Sequence, residues 1–332
     1  MRFRSRKRHA GPRVGLASAR GVVVALLLAA ASPLPAAAHG FAGKRFFPTT
    51  FAIEDPFVAD ELSFLVSHVD EPARGDEPGV SATELAAELS KRITPHLGIS
   101  FAGEFRHLDP RGEPSASGFG NLELGSKYQF LTSERHEAVA SLGLAAEVGD
   151  TGDPAVEAES FSVISPGLFF GKGFGDLPDG LRLLRPFAIT GLVAANIPTD
   201  ASTATSVVDP GTGALTSVTE PNPISLHWGF ALEYNLHYLH AFVEDVGLPA
   251  MLQRIVPVLE VALDTCLDRG CGGETTGMVN PGLIWFGRTV QLGIAARIPI
   301  NGRTGDDVGV FGLVHVFMDD LLPDSFGAPL FQ

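Results

Sequence analysis

The stretch Ile224-Ser-Leu-His-Trp-Gly-Phe-Ala-Leu-Glu-Tyr-Asn-Leu-His-Tyr238 decides the fold class. Side chains of an extended strand point alternately to its two faces. Ile224, Leu226, Trp228, Phe230, Leu232, Tyr234, Leu236 and Tyr238 therefore share an apolar face, and Ser225, His227, Gly229, Ala231, Glu233, Asn235 and His237 share a polar or small one. Fifteen residues is long for a strand of a soluble sandwich, but it fits a tilted bilayer crossing whose ends project into water.

The same alternation recurs along the chain. It predicts strands near 58–69, 83–93, 97–108, 119–131, 137–148, 160–171, 186–197, 224–239, 254–264, 276–286, 289–300 and 307–318. In 97–108, Leu97, Ile99, Phe101 and Phe105 fall on one face and Ser100, Glu104 and Arg106 on the other; in 289–300, Val290, Leu292, Ile294 and Ile298 oppose Gln291 and Arg297. A helical period would scatter these charges around the helix. Glycine is frequent, at 38 residues, and inside strands it eases the bends and close packing of a barrel wall. The fold class is all-β: a single antiparallel transmembrane β-barrel of about 12 strands over residues 58–318, with a periplasmic N-terminal segment at 39–57 and a tail at 319–332. Two long inner turns, at 172–185 and 240–253, depart from the short periplasmic turns of bacterial barrels; a strand hidden in either would shift the count toward 14. The outer loop 199–223 is long enough to suggest a lid or a fold-in constriction. The last strand is almost wholly apolar, so its facing is not decided by alternation.

Residues 1–38 read as a cleaved signal peptide, with a basic start (Arg2 to Arg8, Arg13, Arg20), an apolar core from Gly21 to Ala31 and the small-residue site Ala36-Ala37-Ala38. Its loss leaves 17 Lys and Arg against 38 Asp and Glu, a formal net charge of −21 in place of −14. Nucleic-acid binding depends on neutralising phosphates with Lys and Arg, so this balance disfavours it. Export and barrel patterning together place the chain in the outer membrane of a Gram-negative-type bacterium, in contact with its lipid. The alternative is a soluble periplasmic β-protein. Cys266 and Cys271, in Cys-Leu-Asp-Arg-Gly-Cys, are expected to form a disulfide: an exported chain permits one, and two thiols with no nearby His supply too few ligands for a closed zinc site.

The segment Gly118-Phe-Gly-Asn-Leu-Glu-Leu-Gly-Ser-Lys-Tyr-Gln-Phe-Leu131 resembles a strand of the phenol-degradation meta-pathway family of outer-membrane transporters. Gly118, Gly120, Asn121, Leu124, Gly125, Lys127, Tyr128 and Phe130 carry the likeness, with Asn121 where Asp is commoner. The resemblance implies a barrel that takes up small hydrophobic or aromatic solutes.

The polar strand faces make Glu104, Arg106, Glu123, Lys127, Glu147, His227, Glu233, His237, Glu260 and Arg297 the candidates for lining a lumen, where acidic and basic rings would select solutes by charge. The same residues would pair with one another in a closed, structural barrel. A barrel-wall lipid hydrolase needs a Ser, a His and an orienting group within hydrogen-bond reach. His227 and Asn235 stand eight residues apart, about 27 Å along a strand, so no catalytic residue is assigned and the chain is read as a non-enzyme with no cofactor. His39, the N-terminus after cleavage, is a weak candidate for copper, since an α-amino group and imidazole together offer nitrogen donors; a ligand-free terminus is the preferred reading. The aromatic run Phe41 to Phe51 is expected to sit at the membrane interface, the alternative being a plug in the lumen.

Overall fold

Twelve antiparallel strands close on themselves in the computed structural model, which describes residues 40–73, 78–208 and 215–331. They are β1 (Glu61–Glu71), β2 (Val80–Thr94), β3 (Leu97–Pro110), β4 (Ala116–Phe119 and Leu122–Ser133), β5 (Ala138–Val148), β6 (Val163–Gly173), β7 (Phe187–Pro198), β8 (Ser225–Tyr234), β9 (Ile255–Cys266), β10 (Thr275–Phe286), β11 (Val290–Pro299) and β12 (Gly309–Phe317). Each pairs with the next, and β12 returns to β1 with Phe317 opposite Glu61. Closure leaves no free edge, which a bilayer demands because its interior has no water to satisfy an unpaired backbone. The signal peptide and His39 lie outside the described residues.

Alternation sets the two faces as read. Phe101, Leu124, Leu142, Leu168, Trp228, Leu283, Ile294 and Val314 are exposed on the outside of the wall. Water would not tolerate so continuous an apolar surface, so it contacts lipid, and the barrel is an outer-membrane protein. Among the described residues no helix is long and apolar enough to cross a membrane; the crossing is made by strands. Tight turns such as Pro95–His96 gather at the end against which Leu330 and Phe331 pack, donating to the Arg92 and Ile93 carbonyls, and short turns of this kind are the periplasmic ones in bacterial barrels.

Two features differ from the sequence reading, and the long outer loop gains a definite structure. The strand predicted over 224–239 stops at Tyr234, because Asn235 caps a helical turn, its side chain accepting from the Tyr238 N–H at 3.0 Å. Leu236, His237 and Tyr238 therefore leave the alternating faces. The loop 199–223 is built around a two-stranded hairpin, Ser202–Val208 with Leu215–Pro221. The aromatic N-terminal run does not sit at the membrane interface, and the segment expected to be periplasmic at 39–57 is so only in its first part: residues 47–57 lie inside the barrel, with Phe47, Phe51 and Ile53 buried. Of the two long inner turns, one holds a 3-10 helix at Asp179–Leu184 and the other short helical turns at Leu236–Val243 and Leu252–Arg254, and neither hides a strand.

The tail packs beneath the barrel. Arg92 donates to the Gly327 carbonyl and Lys91 to those of Phe326 and Ala328, while both bases pair with the buried carboxylate of Asp60 at 2.7 Å.

Candidate functional site

The lumen is built by the inward faces and by the N-terminal segment threaded into it. That segment is held at two heights. Near the periplasmic mouth, Arg45 is fully buried: it donates to the Pro186 carbonyl at 2.8 Å and to the Arg185 carbonyl, pairs with Glu137 at 3.2 Å, and lies over the ring of Tyr238, whose hydroxyl donates to Glu137 at 2.8 Å. Burial, first, and then the Glu137 carboxylate push the Tyr238 phenol up to about 12. Deeper in, one carboxylate oxygen of Glu260 on β9 accepts from the backbone N–H groups of Phe51, Ala52 and Ile53 at 2.9, 3.1 and 3.0 Å. The chain then turns at Asp55, which accepts from the Phe57 N–H and the Thr49 hydroxyl, and descends to Asp60 and β1. Phe51 stacks on Phe311 with centroids 5.8 Å apart. A Cβ at Gly282 or Gly293 would come within 3 Å of the Phe51 ring, so these two strand glycines make the recess that the ring fills.

The lumen is consequently divided by chemistry. Phe51 and Ile53 join Leu192, Val256, Val258, Ile284, Phe311 and Leu313 in a packed core on the β7–β12 side. Many inward positions there are apolar because they face plug rather than water, and polar ones such as Glu260 and Gln291 are buried against the plug backbone. On the β2–β5 side the inward residues are charged and leave open space. An outer vestibule of about 610 Å³ is lined by Glu123, Glu147, Glu159 and Glu220, with Ser165, Asn196 and Thr203. Below it, sharing Glu123, Ser165 and Asn196 in its wall, lies a chamber of about 230 Å³ whose lining mixes the polar Glu54, Glu88, Lys127 and His227 with the apolar Phe57, Phe169 and Leu192. A third space of about 370 Å³, lined by Ala52, Glu71, Asp264, Arg297 and Phe311, touches the opposite side of the plug and also meets His227.

The sequence-predicted residues fall into three groups. Glu123, Lys127 and His227 border the chamber, Glu147 the vestibule, and Glu104 a side pocket with Glu123 and Glu147. Lys127 pairs with Glu54 at 2.5 Å, donates to the Asp55 carbonyl at 2.7 Å and lies 4.9 Å from the Phe169 ring centroid; His227 Nδ1 is 2.9 Å from Asp264 Oδ1. Arg106 donates to the Val156 carbonyl at 2.7 Å and lies 3.3 Å from Glu84, so it braces the outer loop. Arg297 lies over the Phe311 ring at 4.3 Å and borders the third space. Glu233 and Glu260 point inward but are buried against the plugged side: Glu233 accepts from Thr190, and Glu260 holds the plug. His237 is the misplacement. It sits on the periplasmic helical turn with its ring edge-on to Phe286, centroids 6.1 Å apart, and burial, followed by Arg254 and His240, holds its imidazole below the ordinary range.

Several residues of the site are not singled out by the sequence. Arg45, Glu54 and Asp55 belong to the segment for which the membrane interface, not the lumen, is the preferred sequence reading. Asn121 stands out in the sequence only as part of a motif; it breaks β4 in two, accepts from the Gly152 N–H at 2.9 Å, and donates to Glu147 and to the Glu159 carbonyl, both at 2.9 Å. Cys266 and Cys271 are joined by a disulfide at the outer end of β9. Among the described residues no cluster of three or more His, Cys, Asp or Glu is arranged to hold a metal ion.

No protein-family model and no curated protein matches the sequence. Solved structures do align with the fold. The KdgM porin aligns with a TM-score of 0.43 at 8% identity, over 77% of this chain and 98% of its own. An outer-membrane channel from Pseudomonas putida F1 gives 0.49 at 13% identity, over 80% and 97%. The β domain of the Bordetella autotransporter BrkA gives 0.44 at 10%, over 77% and 98%. No activity follows from these likenesses.

Proposed function

We propose that the protein is an outer-membrane channel or transporter for small hydrophobic or aromatic solutes, with neutral or cationic ones preferred over anions. The observation that carries this reading is the open chamber beside the plug, whose wall is shared with the outer vestibule. Its lining is mixed: Phe57, Phe169 and Leu192 offer apolar surface, and Glu54, Glu88 and Glu123 outnumber the one lysine, Lys127. A small aromatic molecule bearing a polar group matches both, and the four carboxylates of the vestibule repel anions before they reach it. The resemblance at Gly118–Leu131 points to the same substrate class.

The test is refolded protein in planar bilayers and proteoliposomes. Conductance that favours cations, together with faster uptake of phenol-sized solutes than of sugars of equal volume, supports the reading; sealed bilayers with no solute flux overturn it. The second reading, a structural barrel that does not conduct, draws on the anchoring of the plug at both Arg45 and Glu260, and it predicts that null result.

A further inference from the structure

The inner turns carry apolar surface that the barrel does not use. In the 3-10 helix Asp179–Leu184, between β6 and β7, Leu181, Leu183 and Leu184 are all exposed, at 47, 55 and 43%. In the neighbouring turn between β8 and β9, Met251 is 69% and Leu252 43% exposed. An Arg182–Glu244 ion pair at 2.9 Å joins the two turns. Five large apolar side chains on adjacent turns are costly to leave in water.

Their position relative to the lipid-facing wall follows from one hydrogen bond. Tyr234 ends β8 on its outward face, in edge-to-face contact with Phe187 at 4.7 Å, and its hydroxyl donates to the Leu183 carbonyl at 3.3 Å. The helix therefore hangs from the outside of the barrel, level with an aromatic pair of the kind that marks a membrane interface.

We infer that these two turns are interfacial anchors: Leu181, Leu183, Leu184, Met251 and Leu252 insert into the periplasmic leaflet of the same membrane and extend the apolar band on the β6–β9 side. The occupant is phospholipid, because the patch is continuous with wall that is already lipid-facing. The arrangement holds the barrel at a fixed depth and tilt, whether or not the lumen conducts.

The experiment places single cysteines, Leu183→Cys and Met251→Cys, with Asp324→Cys in the tail as the water-facing control, in the full mature chain with its disulfide intact. Each is labelled with an environment-sensitive nitrobenzoxadiazole and reconstituted in phosphatidylcholine vesicles. The inference expects blue-shifted emission at 183 and 251, at least twofold stronger quenching by lipid spin-labelled high on the acyl chain than at the control, and weak quenching by iodide. Iodide quenching at 183 and 251 equal to the control, with no quenching by spin-labelled lipid, overturns it and leaves the patch free for a periplasmic protein. Exposed positions such as these tolerate the substitution, and heat-modifiable migration verifies folding of each variant before labelling.

Discussion

At the scale of single residues, Glu260 makes the sharpest prediction. Its carboxylate is the sole acceptor shown for three backbone donors of the plug, and a buried donor left unpaired costs about 1–3 kcal/mol. Glu260→Ala is expected to loosen the plug and raise single-channel conductance severalfold, with Glu260→Gln, which keeps one acceptor oxygen, in between. Equal conductance in all three proteins would show that Phe51 and Ile53 packing alone holds the segment. His237 gives a pH dependence. Burial, then Arg254 and His240, lower its pKa in the folded state, so its contribution to stability is present above the ordinary histidine range, about 6.5, and is lost as pH falls through the depressed folded value. The temperature of heat-modifiable unfolding should therefore drop on acidification from pH 7.5 to 5, and less steeply in His237→Phe, which keeps the aromatic contact with Phe286. Neither role is visible in sequence. Glu260 can be read as inward-facing from its strand, but its partners lie 207 to 209 positions away, and His237 escapes its assigned face because Asn235 prefers to cap a turn.

At the scale of elements, strand periods were legible nearly to the residue, and the reason is the solvent. Lipid outside and charge inside impose opposite polarities on successive residues. Even Thr83-Glu-Leu-Ala-Ala-Glu-Leu-Ser-Lys-Arg92, rich in good helix formers, is strand in β2, with Glu84 and Glu88 paired inward across from Ser67 and Ser63. Where alternation failed, on β12, the plug is the cause: Phe311 and Leu313 are inward and apolar because Phe51 covers them. Deleting residues 47–57 should thus do two things together, widening the conductance severalfold and exposing an apolar stripe that binds a hydrophobic dye; unchanged conductance would mean the vestibule, not the plug, limits passage. Asn121 makes a second case among the elements. Asn121→Ala removes the acceptor of the Gly152 N–H and the donor to Glu147 and Glu159, so the loop 149–162 should become several times more sensitive to protease while the barrel still migrates as folded.

At the scale of the whole molecule, the disulfide and the closed sheet contribute unequally. Cys266 and Cys271 are five positions apart, and a loop that short constrains the unfolded chain by only about 2 kcal/mol in the loop-entropy picture. The Cys266→Ser, Cys271→Ser double variant is therefore expected to fold and keep its heat-modifiable migration, with a modest fall in unfolding temperature; failure to fold would show that the outer end of β9 needs the bridge to pair. Closure of β12 on β1 stabilises the barrel more, because it satisfies the backbone of two strands at once.

By itself the sequence determined the class of fold, the position of most strands, the facing of nearly every wall residue and the expectation of a disulfide, because each of these follows from a period of two read against lipid or from the spacing of neighbours in the chain; the choice of 12 strands over 14 came from the two inner turns of the structure. Only the tertiary structure decided what occupies the lumen. The segment Phe41 to Val58 has no period to betray its place: its aromatic residues suit an interface and a barrel core equally, and the choice rests on contacts with Glu260, Phe311 and Glu137 that closure of the barrel alone brings within reach.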